Sequence, residues 1–213
     1  MIDTIIFDLE GVVVDTEPIW DRAQEELLRR RGLVYDREKG KHLITGRSQI
    51  EGMIIMQEIY GLSGDPKELT EKRAGLVREL FESQLNFIPG FQSFYKGIRG
   101  RYRTCIATAL AKELLEVIDK RLMLSELFDG KIFSIADVGY VSKPNPHAFL
   151  YAAKKMDSQP QDCLVIEDAP NGIEAAKRAN MRCVALTTSF KRDKLSGADF
   201  IVGSYPEIDL SAF

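Results

Sequence analysis

One pattern constrains this chain more than any other: short apolar runs recur along it, separated by stretches of helical periodicity. The runs fall at 4–7, 103–107, 131–133, 163–166, 183–186 and 200–202, and helical patterns occupy 112–122, 146–156 and 170–180. Runs this short and this apolar read as strands buried on both faces. Strands that alternate with amphipathic helices pair in parallel, with helices covering the sheet on both sides. The expected fold class is therefore α/β, with a Rossmann-like parallel sheet as its core.

The interval 16–86 breaks the alternation. It carries helical patterns at 18–31, 48–60 and 66–85 and no strand pattern. Gly32 and Gly61 close the first two, and Ile88-Pro89-Gly90 punctuates the return to the α/β rhythm. The expectation is two domains: an α/β core over 1–15 and 87–213, and a helical domain over 16–86 inserted after the first strand.

In an open parallel sheet, ligands sit beyond the carboxyl ends of the strands. That rule selects Asp8-Leu9-Glu10-Gly11 after the first strand, Thr108-Ala109 after the second and Glu167-Asp168 after the fourth. Lys143 lies in the loop Val141-Ser142-Lys143-Pro144-Asn145-Pro146. Four carboxylates brought to one sheet edge raise each other's pKa values unless a cation joins them. An all-oxygen donor set suits Mg²⁺, which keeps coordination positions open for water and a substrate phosphate. A carboxylate beside Mg²⁺ and a phosphate is placed to attack phosphorus and form an aspartyl phosphate. Lys143 would neutralise negative charge, and Thr108 would donate to a phosphoryl oxygen.

Phe7-Asp8-Leu9-Glu10-Gly11-Val12-Val13-Val14-Asp15-Thr16-Glu17 resembles the first motif of the haloacid dehalogenase (HAD) superfamily. Thr108 matches the second motif and Lys143 the third. Val165-Ile166-Glu167-Asp168-Ala169-Pro170-Asn171-Gly172 opens the fourth. All four occur in the family's order, and the resemblance spans nearly the whole chain. Within the superfamily the chain is most similar to beta-phosphoglucomutase-like phosphatases with a helical cap after strand one. The resemblance implies a phosphoric monoester hydrolase acting on a small phosphomonoester of sugar-phosphate type. Asp8 would be nucleophile and Mg²⁺ ligand. Glu10 would ligate through its main-chain carbonyl and serve as general acid and base. Asp168, with Glu167, would complete the metal site. Thr45-Gly46-Arg47-Ser48 resembles the cap loop that reaches the active site, which makes Gly46 and Arg47 candidates for substrate binding beside Thr108, Ala109 and Lys143.

Two departures from the family pattern bear on activity. The family's phosphatases carry Asp two residues after the nucleophile, and this chain carries Glu10. Glu reaches further by one carbon–carbon bond, about 1.5 Å, and a catalytic group misplaced by about 1 Å can cost on the order of a hundredfold. A slow enzyme, or a phosphate-ligand binder inactivated at this position, is the alternative from outside catalysis. The family's mutases place a His in the first cap helix, where this chain reads Glu17-Pro18-Ile19-Trp20-Asp21. Its absence favours hydrolysis over sugar-phosphate mutase chemistry. A dehalogenase would leave the Glu167-Asp168 pair unexplained.

Bulk properties narrow the partners. With 29 basic and 32 acidic residues in 213, the net charge of −3 offers no footprint for nucleic acid or an anionic membrane. No apolar run approaches the roughly 20 residues of a membrane span, and Met1-Ile2-Asp3-Thr4 lacks the basic start of a secretory signal. Cys105, Cys163 and Cys183 lie far apart in apolar runs, so buried reduced thiols are expected, not a zinc site. The expectation is a cytoplasmic monomer that meets a small phosphorylated metabolite, no nucleic acid and no membrane. Taken singly, several candidates also have plain readings. Asp168 can cap a helix, Thr108 can cap a turn, and Lys143 and Arg47 can be solvated surface charges. His42 and His147 are read as incidental, Trp20, Met53 and Met56 as core, and Arg29-Arg30-Arg31 as a solvated helix end.

Overall fold

A computed structural model describes residues 1–44 and 49–213, the side chains of residues 41 and 42 excepted. The elements run β1 (Thr4–Phe7), α1 (Glu17–Arg29), α2 (Arg37–Ile44), α3 (Gln49–Tyr60), α4 (Pro66–Gln84), α5 (Phe91–Ile98), β2 (Arg103–Ala107), α6 (Lys112–Leu122), α7 (Leu124–Leu127) and β3 (Ile132–Phe133). They continue with α8 (His147–Lys155), β4 (Cys163–Glu167), α9 (Pro170–Arg178), β5 (Arg182–Leu186) and β6 (Phe200–Val202). The chain divides into two compact units, Met1–Asp15 with Asn86–Phe213, and Thr16–Leu85.

The first unit is built on one six-stranded sheet in the order β3-β2-β1-β4-β5-β6, and every pairing is parallel. The α/β class and the parallel sheet expected from the apolar runs are those observed. The chain winds outward from β1 through β2 to β3, then returns to start β4 on the other side of β1. The strand order reverses there, and a crevice opens beyond the strand ends at such a point. Register decides what stands in it. Phe7 lies opposite Ile106 of β2 and Ile166 of β4, so the next residue, Asp8, comes level with Ala107 and Glu167.

Alternate residues of β1 anchor the two faces. Ile6 packs among Phe149, Ala152 and Ala153 of α8 and Ile173, Ala175 and Ala176 of α9. The small alanines let both helices lie close to the sheet. Phe7 points the other way into a cluster of rings. Its centroid lies 5.8 Å from Phe91, 6.2 Å from Tyr95 and 5.8 Å from Phe128. A phenylalanine so enclosed contributes about 1.5–3 kcal/mol by burial alone. The three cysteines are free and buried, as their apolar settings required.

The second unit consists of α1, α2, α3 and α4. Leu27, Leu28, Met53, Met56, Leu62 and Leu69 form its core, so the two methionines are packing residues. Asp65 caps α4 by accepting from the backbone N–H groups of Lys67 and Glu68, and Pro66 occupies the first turn, where no donor is needed. The sequence pattern did not mark α2. Its eight residues include Gly40 and few apolar groups, and tertiary bonds hold its start. Tyr35 Oη donates to Asp21 at 2.8 Å, and Tyr60 Oη donates to the Asp36 carbonyl at 2.6 Å. Arg73 of α4 is the unusual residue here. It is 3% exposed and donates to the Gln49 carbonyl and side-chain oxygen at 3.2 and 2.6 Å, and its guanidinium lies 5.7 Å from the centre of the Trp20 ring. Its Nε meets no acceptor and it pairs with no carboxylate among the described residues. Burial lowers its pKa to about 10.

Candidate active site

Asp8 is the residue that the buried strand β1 delivers to the crevice, and Glu167 ends β4 beside it. Lys143 enters from the loop between β3 and α8. Its Nζ donates to Asp8 Oδ1 at 2.6 Å and to Glu167 Oε1 at 2.6 Å. Asp8 and Lys143 are each 7% exposed and Glu167 1%, so this is a buried triad and not a surface ion pair. The Phe149 ring of α8, 4.7 Å from Nζ, backs the ammonium. Lys143 is thus not the solvated lysine its loop position alone permits.

Glu167 is fixed on both oxygens. Oε1 takes the lysine, while Oε2 accepts the backbone N–H groups of Asp168 and Ala169, each at 2.8 Å. The start of α9 therefore orients this carboxylate, and the partial positive charge of a helix N-terminus favours it there. Gly172 makes the approach possible: a Cβ at this position would stand 1.7 Å from Glu167 Oε1. Gly11 serves Asp168 in the same way. It adopts φ +72°, and a Cβ there would stand 1.9 Å from Asp168 Oδ2. Both glycines lie in the quoted motifs, yet their spacing did not reveal that they make room for carboxylates.

Asp8, Glu167 and Asp168 are all buried, and their oxygens lie within 4.8 Å of one another. Burial, the largest influence, pushes the Asp8 carboxyl up from its ordinary value of 3.8. Lys143 pulls it down and neighbouring Glu167 pushes it up again, leaving it at about 6. Burial opposes the charge on Lys143, but the two carboxylates outweigh it and raise its pKa above the ordinary lysine value.

Thr108 follows β2 and is buried. Its Oγ1 accepts the Leu110 N–H at 3.0 Å, which leaves the hydroxyl its own proton to donate. Ala109 beside it is exposed. Glu10 is half-buried in a closed turn. The Leu9 carbonyl accepts from both Val13 and Val14, and the Gly11 N–H donates to the Val14 carbonyl. Asp8, Thr108, Lys143, Glu167 and Asp168 all belong to the first unit, at one edge of the sheet. Gly46 and Arg47 lie outside the described residues, and exposed His147 stands apart from the triad.

A family model for haloacid dehalogenase-like hydrolases matches residues 2–180. The chain is 31% identical over 180 residues to fructose-1-phosphate phosphatase YqaB of Escherichia coli, covering 84% of this chain and 94% of that protein. It is 27% identical over 181 residues to a phosphorylated carbohydrates phosphatase of Thermotoga maritima, covering 84% and 82%. Among solved structures, a haloacid dehalogenase-like protein of Agrobacterium tumefaciens superposes with a TM-score of 0.85 at 25% identity, covering 100% of this chain and 97% of that one.

Proposed function

The chain belongs to the haloacid dehalogenase-like hydrolase family, and we propose that it is a Mg²⁺-dependent phosphatase of small phosphorylated carbohydrates that works through an aspartyl phosphate on Asp8. One observation carries this reading. Three buried carboxylates, Asp8, Glu167 and Asp168, each bring an oxygen within 4.8 Å of the others at one edge of the sheet, and Lys143 pairs with the first two. Carboxylates gathered this closely are a donor set for a divalent cation, and a set made only of oxygens suits Mg²⁺. Asp8, Asp168 and the Glu10 carbonyl would hold it. Glu167, already committed to Lys143 and two backbone N–H groups, would lend its charge from beside the ion. When bound, the ion would draw electron density from the phosphoryl oxygens.

The residues of this chain then divide the work. An Asp8 oxygen forms a bond to phosphorus as the bond to the leaving oxygen breaks. Glu10 gives that oxygen its proton. In the second step Glu10 takes a proton from water, the water oxygen bonds to phosphorus, and the Asp8 carboxylate is released. Lys143 holds the nucleophile in place and offsets phosphoryl charge, and Thr108 donates to a phosphoryl oxygen. Sugar phosphates are the proposed class because two of the relatives are phosphatases of that class by name. The helical unit Thr16–Leu85 is read as the cap domain, and the buried free thiols fit a reducing compartment such as the cytoplasm. Among the described residues no helix is long and apolar enough to cross a membrane.

A panel of sugar phosphates and an aryl phosphate, assayed with Mg²⁺ and then with a chelator, tests the reading. Phosphate release should depend on Mg²⁺ and return when the ion is restored. Binding of phosphate without turnover would leave a ligand binder, and conversion to an isomer without phosphate release would leave a mutase. Glu10→Asp should raise kcat/KM on sugar phosphates more than on the aryl ester, because a poor leaving group depends on a well-placed proton. A fall on both substrates would mean that the longer side chain suits its site.

Arg73 is a buried guanidinium of the helical unit, held by Gln49 and without an acceptor for its Nε. Arg73→Met should raise the melting temperature, because an unpaired buried charge is replaced by an apolar chain of similar reach. A lower melting temperature would show that its bonds to Gln49 outweigh the cost of burying the charge.

A further inference from the structure

The turn after β1 carries Glu10, and its carbonyls are gripped from the far end of the chain. Thr188, in the loop after β5, donates its hydroxyl to the Gly11 carbonyl at 2.6 Å. Tyr205, in the segment after β6, donates its hydroxyl to the Val12 carbonyl at 2.8 Å. These are two successive carbonyls, immediately downstream of Glu10 and bound by side chains that no sequence motif had singled out. We propose that Thr188 and Tyr205 form a clamp that sets the position of Glu10 relative to the leaving oxygen, making both of them positioning residues. The inference rests on the phosphatase reading and on Glu10 as its acid.

Three features support a purpose beyond holding the fold. First, the internal bonds of the turn, from the Gly11 N–H to the Val14 carbonyl and from Val13 and Val14 to the Leu9 carbonyl, do not involve the Gly11 and Val12 carbonyls, which take Thr188 and Tyr205 from outside it. Second, the two braces differ in setting but converge on one segment. Thr188 is exposed, and water could replace it at the Gly11 carbonyl, so its bond adds little to folding. Tyr205 is 1% exposed, with its ring 5.0 Å from Phe94 and 5.7 Å from Phe91, so its hydroxyl is aimed by packing. Third, the same loops come close to the carboxylates. A Cβ on Gly11 would meet Ser189 Oγ at 2.6 Å as well as Asp168 Oδ2 at 1.9 Å. A shift of the turn would therefore move Glu10 relative to the acidic cluster, and a displacement of about 1 Å is enough to lower general acid catalysis by one to two orders of magnitude.

The test is the ratio of kcat/KM on an alkyl phosphate to kcat/KM on an aryl phosphate, because kcat/KM covers the steps through departure of the leaving group, where only the alkyl ester needs the Glu10 proton, and leaves out the second step common to both. Thr188→Val removes the donor and keeps the shape, Thr188→Ser keeps the donor, and Tyr205→Phe removes one oxygen from a ring that stays packed. Thr188→Val and Tyr205→Phe should each lower kcat/KM on the alkyl ester by about tenfold. The aryl kcat/KM should stay within about threefold, and Thr188→Ser should behave as wild type. A structural role alone would lower both kcat/KM values together or only the melting temperature, and that outcome overturns the clamp. Should Tyr205→Phe unfold, the two Thr188 variants decide. Glu10→Gln separates the two levels. If it changes the alkyl-to-aryl ratio while the clamp variants do not, only the clamp is wrong. If Glu10→Gln itself leaves the ratio unchanged, the acid assignment fails and the clamp fails with it.

Discussion

Asp8→Asn should abolish turnover, by more than about 10⁴-fold, and should leave the protein as stable as before or more so at neutral pH. The amide matches the carboxylate in shape but cannot accept the phosphoryl group. The stability side follows from electrostatics. The Asp8 carboxyl is held at about 6, above its ordinary 3.8, chiefly by burial. The folded state thus binds this proton more tightly than the unfolded chain does. The stability this contributes is complete below pH 3.8 and is lost as pH rises through 6. Asparagine never ionises, so the variant escapes that loss, and Lys143 still has Glu167 at 2.6 Å. Melting curves at pH 4.5 and 7.5 should show the variant gaining on wild type at the higher pH. Mg²⁺ should raise its melting temperature less than that of wild type, since one proposed ligand has lost its charge. Activity near the wild-type level would rule out Asp8 as the nucleophile.

Much of this arrangement was legible in the sequence because parallel sheets leave a simple signature. The inner strands β1, β2, β4 and β5 are buried along nearly their whole length, and the edge strands β3 and β6, though partly open, are apolar, so all six stand out. Their register then brings Asp8 level with Glu167 without any further information. What was not legible depended on long-range contacts. The helix α2 is polar, contains Gly40 and starts beside a tyrosine bound to Asp21, and nothing local marks it. The helix α5 follows Pro89-Gly90, which reads as a break, yet Gly90 at φ +87° is the turn from which the helix starts. Glu167-Asp168 reads as an equivalent pair of acids. Only the fold separates them, by placing two backbone N–H groups and the lysine on Glu167. Thr188 and Tyr205 act on carbonyls 177 and 193 residues away, and a carbonyl has no sequence identity for a motif to record.

The second large effect belongs to Lys143. Its ammonium is the resident cation of the cluster, touching Asp8 and Glu167 at 2.6 Å each with only 6% of its side chain exposed. Lys143→Met keeps the length and the contact with Phe149 but leaves two buried carboxylates without their partner. Breaking a buried pair in this way costs about 3–5 kcal/mol, and for a chain of this size each kcal/mol shifts the melting temperature by about 2–4 °C. The variant without Mg²⁺ should therefore melt about 10 °C below wild type at pH 7.5. Without the lysine the folded-state pKa of Asp8 rises further above its unfolded value. Stability is then kept at low pH and lost as pH rises, so the gap between variant and wild type should narrow towards pH 5. Mg²⁺ should recover more of the melting temperature in the variant than in wild type, because it becomes the cluster's main source of positive charge. The catalytic loss should persist with Mg²⁺ present, at about 10²–10³-fold, the usual cost of removing one preorganised donor from a developing charge. Thermal melts with and without Mg²⁺ at the two pH values, together with kcat at saturating Mg²⁺, decide the matter. If the variant melts like wild type and turns over within tenfold of it, Lys143 is neither the counter-charge of the nucleophile nor part of the phosphoryl site.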